Sequence, residues 1–121
     1  YYNAYYQNIT GNNDEAERIS KEIIDYNPRF SLAYMFLSTV YTLQKRYDEA
    51  ENIVLSLVDY DIYDEQAARQ LVRVYNAQQK DISEAELSYY DYASKSYDRR
   101  GKKELAEKYR KLYEETKAKN K

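Results

Sequence analysis

The sequence has no cysteine, no histidine and no tryptophan, and only one proline and two glycines in 121 residues. Without cysteine there is no disulfide, no thiolate metal site and no cysteine nucleophile. Without histidine the usual general base and the commonest metal ligand are missing. So few glycines and prolines argue against a fold of many strands and tight turns. No apolar run approaches the ~20 residues that span a bilayer. No signal peptide is visible. The chain starts at Tyr1 without Met, so it is expected to be a piece of a longer protein, with targeting information and compartment unassigned.

What the chain does have favours helices. Charged residues make up 33%, and Glu, Lys, Ala, Leu and Gln are common. The length suits one domain with a modest core. Tyrosine dominates the aromatics, with 17 against two Phe. A tyrosine brings a large apolar body with a polar tip, so these residues read first as filler between helices. The net charge of −2 hides an asymmetry. Residues 1–94 carry 8 basic and 16 acidic side chains, and residues 95–121 carry 11 basic and 5 acidic. An acidic body therefore precedes a basic tail.

Apolar spacing and turn residues predict seven helices, over about 1–9, 14–26, 28–44, 47–59, 64–79, 82–100 and 102–117. Gly11 marks the first turn. Asn27-Pro28 reads as an N-cap followed by proline in the first helical turn. Asp81 with Glu84 reads as a capping box, and Gly101 as a C-cap. Expected inward residues are Tyr34, Leu37, Ser38 and Tyr41, then Ala50, Ile53, Val54, Leu57 and Val58, then Ala67, Ala68, Leu71, Val72 and Tyr75. The last helix has the stripe Leu105, Ala106, Tyr109, Leu112 and Tyr113.

The pattern repeats. Tyr41 to Tyr75 spans 34 residues, Ala16 to Ala50 spans 34, and Ala50 to Ala85 spans 35. A fixed period holding two helices means stacked helical hairpins. Tyr34, Leu37, Ser38 and Tyr41, followed by Ala50 and Val54, resemble the tetratricopeptide repeat pattern of Trp, Leu, small residue and Tyr, then Ala and Phe. Pro28 falls on the proline that closes the preceding repeat. Leu71, Tyr75, Ala85 and Tyr89 repeat the pattern with one extra residue. The first repeat is cut short and has Ser20 in the aromatic place; Ile62 stands in the second proline place.

The resemblance implies an all-α, right-handed α-solenoid of about three hairpins with a capping helix. Residues 1–27 would be a truncated repeat, 28–62 and 63–100 two further repeats, and 101–121 the capping helix. For function it implies a protein-interaction scaffold, not an enzyme, with no cofactor and no metal.

In such a stack the first helix of each hairpin lines the binding groove. The expected groove residues are Gln7 (with Ala4 and Asn8 beside it), Leu32, Met35, Thr39 and Thr42, then Gln66, Arg69, Arg73 and Asn76. Met adapts to irregular partners, and two Arg one turn apart can grip a carboxylate. That predicts a peptide or protein partner with an apolar anchor and an acidic group. The plainer alternative is that Arg69 and Arg73 pair with Glu65 or Asp64 on a solvated face. Some family members bind the acidic C-termini of chaperones through Lys and Asn on successive groove helices. Leu32, Met35 and Thr39 disfavour that mode here.

Other classes compete. The basic tail, with Tyr97, Tyr109 and Tyr113 interleaved, could contact nucleic acid. The acidic body and the pairs Glu104–Lys108 and Glu107–Lys111 point instead to a solvated helix. Tyr1, Tyr2, Tyr5 and Tyr6 form an edge through which two copies could associate. Asp59, Asp61, Asp64 and Glu65 lack the ladder of a calcium-binding loop and read as helix caps.

Overall fold

Helices follow the apolar spacing of the sequence, and each is stopped by local chemistry. A computed structural model describes residues 13–120. It contains α1 (Asn13–Tyr26), α2 (Ser31–Leu43), α3 (Tyr47–Leu55) with a 3-10 turn over Ser56–Tyr60, α4 (Glu65–Ala77), α5 (Ser83–Arg99) and α6 (Lys103–Lys119). No strand occurs among the described residues. The helix expected over 1–9, with Ala4, Gln7, Asn8 and the Tyr1–Tyr6 edge, lies outside them.

Four turns close on a residue in the left-handed region: Lys45 (φ 60°), Asp61 (φ 59°), Gln79 (φ 60°) and Gly101 (φ 77°). In each, the next amide reaches back to a helical carbonyl. Arg46 N–H bonds Tyr41 O at 2.8 Å, Lys80 bonds Tyr75 O at 3.0 Å, and Lys102 bonds Tyr97 O at 2.8 Å. These are Schellman closures, which satisfy carbonyls that a helix end leaves open. Lys45 and Gln79 stand 34 residues apart, so the turn keeps the sequence period. In three of the four turns a cation also covers the tyrosine on whose carbonyl the turn closes: Arg46 over Tyr41 at 4.4 Å, Lys80 over Tyr75 at 5.8 Å, and Arg100 over Tyr97 at 4.5 Å.

Some helix starts differ from expectation. α2 begins at Ser31, one turn after Pro28, and Phe30 is its N-cap. Asn27 instead holds a turn: its Oδ1 accepts from Arg29 N–H at 3.3 Å, and its carbonyl from Phe30 N–H at 3.1 Å. The Pro28 carbonyl accepts from the Tyr34 hydroxyl at 2.7 Å, which fixes the loop on the helix it precedes. Asp81 bonds Ser83 N–H at 3.0 Å and starts α5 without the expected capping box. The end of the helix expected over 47–59 tightens into the 3-10 turn.

The core runs through the stack. Ala16, Ile19, Phe36 and Val40 join α1 to α2. Leu37, Tyr41, Ala50 and Val74 join α2, α3 and α4. Tyr34, Val54, Leu57, Ala67, Leu71 and Ala85 carry the packing on to α5. Full burial of a residue such as Leu37 or Leu71 contributes about 2–3 kcal/mol. α6 packs against α5 and buries no residue fully. No described helix is long and apolar enough to cross a membrane.

Candidate functional site

α2 and α4 lie side by side, and their outer faces form a groove of about 280 Å³. Leu32 and Met35 line it from α2; Gln66, Arg69, Gln70 and Arg73 line it from α4. Five expected groove residues thus share one wall-to-wall space. Thr39 and Thr42 follow one and two turns beyond Met35, and Asn76 follows Arg73; these three do not line the cavity. Gln7 lies outside the described residues.

Each groove residue has a defined setting. Leu32 is 42% exposed. Met35 is half-buried and packs on the core that holds Tyr34 and Leu71. The Thr39 hydroxyl donates to Met35 O at 3.0 Å, and that of Thr42 to Ser38 O at 2.8 Å. Both protons are therefore turned to their own helix.

The floor is polar and buried. Gln70 is 4% exposed and donates through Nε2 to Ser38 Oγ at 3.1 Å. Ser38 Oγ in turn donates to the Ala50 carbonyl at 3.0 Å. The Gln70 carbonyl oxygen accepts from Arg73 at 3.3 Å. A chain of hydrogen bonds thus runs from α3 through α2 and α4 to the Arg73 guanidinium, and holds that side chain at the groove. Gln70 escaped the sequence reading. Its signal was a polar residue on an apolar stripe, three residues after Ala67 and four before Val74.

The two arginines differ. Arg69 pairs with Glu65 one turn earlier, both largely exposed, a contact worth about 0–1 kcal/mol. Arg73 has no carboxylate partner among the described residues. Asp64 is engaged elsewhere, accepting from Ala67 N–H at 3.0 Å as the N-cap of α4.

The other acidic residues of the 59–64 stretch are also engaged. Asp59 accepts from Ser96 Oγ at 2.6 Å and from the Tyr92 hydroxyl at 2.8 Å. Asp61 pairs with Arg100 at 3.1 Å, and that hydrogen bond holds its carboxyl below the usual range despite some desolvation. Among the described residues no three carboxylates gather closely enough to hold a metal ion.

On the basic tail the rings are already stacked. Tyr97 lies on Tyr109 at 5.5 Å with an interplanar angle of 14°. Tyr109 meets Tyr89 edge-on at 5.6 Å, and Tyr89 stacks on Tyr63 at 3.8 Å. Arg110 bonds Ser94 Oγ at 2.7 Å. Two of the three tail tyrosines that could stack on bases are thus covered from within.

A family model described as tetratricopeptide repeat matches residues 9–69. The matched stretch contains α1, α2 and α3 and ends inside α4. No curated protein and no solved structure matches the chain.

Proposed function

We propose, from the premise that this chain belongs to the tetratricopeptide repeat family, that it is a scaffold holding a partner peptide in the groove between α2 and α4. Repeats of this family generally mediate protein–protein interaction and are typically not catalytic. The observation that carries the finer reading is the pairing of an apolar wall, Leu32 and Met35, with Arg73 held by Gln70. An apolar side chain of the partner seats on the first. A carboxylate of the partner meets the second, where Arg offers a planar fork of donors. Arg69 joins by leaving Glu65, a weak partner in water. Thr39, Thr42 and Asn76 extend the groove, and Gln7 would extend it on the preceding repeat. In this reading residues 1–27 are a truncated repeat, 28–62 and 63–100 are two further repeats, and 101–121 is a capping helix.

The test is capture of the partner with the intact protein, mapping of the bound segment, and its titration by calorimetry. Arg69→Glu with Arg73→Glu should weaken binding by about a hundredfold, since two charge-assisted contacts become repulsive. Unchanged affinity in that double variant would remove the groove from the account.

A further inference from the structure

A second cleft lies on another face, between α4 and α5, and holds about 440 Å³. The preceding hairpin gives the comparison for it. Tyr34, Ser38, Ala50 and Val54 of the α2–α3 hairpin are all buried, because α4 packs over that hairpin. Moving on by the repeat period gives Ala68, Val72, Ala85 and Tyr89 of the α4–α5 hairpin. All four line the cleft, and only Ala85 is buried; the other three are half-buried. α6 lies along α5 through Tyr109 and Arg110, and none of its residues lines the cleft. The place that α4 takes on one hairpin is thus open on the next. Alanines on its floor let a helix backbone come close, and Ile82, 50% exposed, stands at the rim.

The charged residues that line the cleft are acidic, although Glu65 also pairs with Arg69 beside it. Asp64, Glu65 and Glu86 line it, with no described Lys or Arg. We propose that this cleft seats an amphipathic helix of a partner protein whose apolar stripe is flanked by Lys or Arg. The proposal goes beyond the groove reading: the partner chemistry is of opposite charge and the surface is a different face. Apolar contact provides the affinity, and the carboxylates select a cationic flank.

The probe is a synthetic helical peptide of about 15 residues, roughly four turns, with Leu and Ala on one face and Lys on both flanks. Its twin carries Glu for Lys. Binding to the intact protein is read by fluorescence anisotropy at low and high salt, with helicity of each variant checked by circular dichroism. The Lys peptide should bind, the twin should not, and added salt should weaken the complex. Ala68→Trp, which fills the cleft, and the exposed Glu86→Lys should each weaken binding by about tenfold or more. Arg73→Glu, which strikes the groove, should leave this affinity where it was and so separates the two sites. No binding, equal binding of the twin, or full affinity in both cleft variants would overturn the proposal. A concentration-dependent dimer that Ala68→Trp converts to monomer would overturn it too, because the occupant would then be a second copy.

Discussion

The junction of α2 with α4 and the junction of α5 with α6 join neighbouring helices by different chemistry. At the first, small and aliphatic residues meet: Ser38, Ala50, Leu37, Leu71 and Val74 are at most 1% exposed. The one polar thread there, Gln70 to Ser38 to Ala50, is closed at each step. At the second, tyrosines and cations meet, and no residue of α6 is fully buried. Tyr109 touches Tyr89 and Tyr97, its hydroxyl 3.2 Å from that of Tyr89. Arg110 bonds Ser94. The first junction is a dry core between repeats. The second is a wet, solvent-exposed joint of rings, ring edges and an ion pair.

Alkaline pH should break the comparison most strongly. Burial pushes the phenols of Tyr75, Tyr90 and Tyr92 up to about 12, and raises those of Tyr63 and Tyr89 further. Each has a folded pKa above its unfolded value of 10. Their contribution to stability is therefore complete below pH 10 and is lost as pH rises through 12. Phenolate absorbance of these rings and helical circular dichroism should change together in that window. Ionisation of the whole set with helicity intact would contradict the packing described.

Leu71→Ala cuts the dry junction. It should cost about 2–5 kcal/mol in denaturant melts, with all helices lost together. Tyr109→Ala cuts the wet one. Three ring contacts and a hydroxyl bond suggest a loss of about 2 kcal/mol. Hydrogen exchange should quicken in α6 first, while α2 and α4 keep their protection. Equal quickening throughout would show that α6 is part of the same cooperative core.

The smallest effect lies in the turns. Gly101→Ala meets no atom within 4 Å, so its cost is backbone strain alone, about 1 kcal/mol. Lys45→Gly removes the same strain at the same kind of closure and should stabilise by up to about 1 kcal/mol. Opposite signs in thermal melts are the expected result.

Much of this was legible in the sequence, because turns and helix faces are local. The 34-residue period named the two-helix unit, and Gly101 and Asp64 mark helix boundaries by their own backbone and side-chain chemistry. The residues packed in the α2–α3 hairpin, from Tyr34 to Val54, followed from spacing. What was not legible depends on distant chain. Asn27 loses its expected capping role because Tyr34 pulls the Pro28 loop onto α2. Ala68 and Val72 were expected inward with Leu71, but both are only half-buried: Val72 packs against the core, and the cleft leaves the rest of that side of α4 open. Gln70 was not singled out in the sequence, because its partner Ser38 lies 32 residues away. Which residues of α2 and α4 line the space between them could be assigned by helix face. The division of labour between Arg69 and Arg73 could not, since it turns on Glu65 and on Gln70.

Central to the account is that partner binding runs through the α2–α4 groove. Amide chemical shifts of the labelled protein, titrated with the mapped partner segment, test it most directly. The account predicts that the largest changes fall on Leu32, Met35, Gln66 and Arg73, and that Arg69→Glu with Arg73→Glu abolishes them. Changes confined to other faces, with undiminished affinity in the double variant, would contradict it.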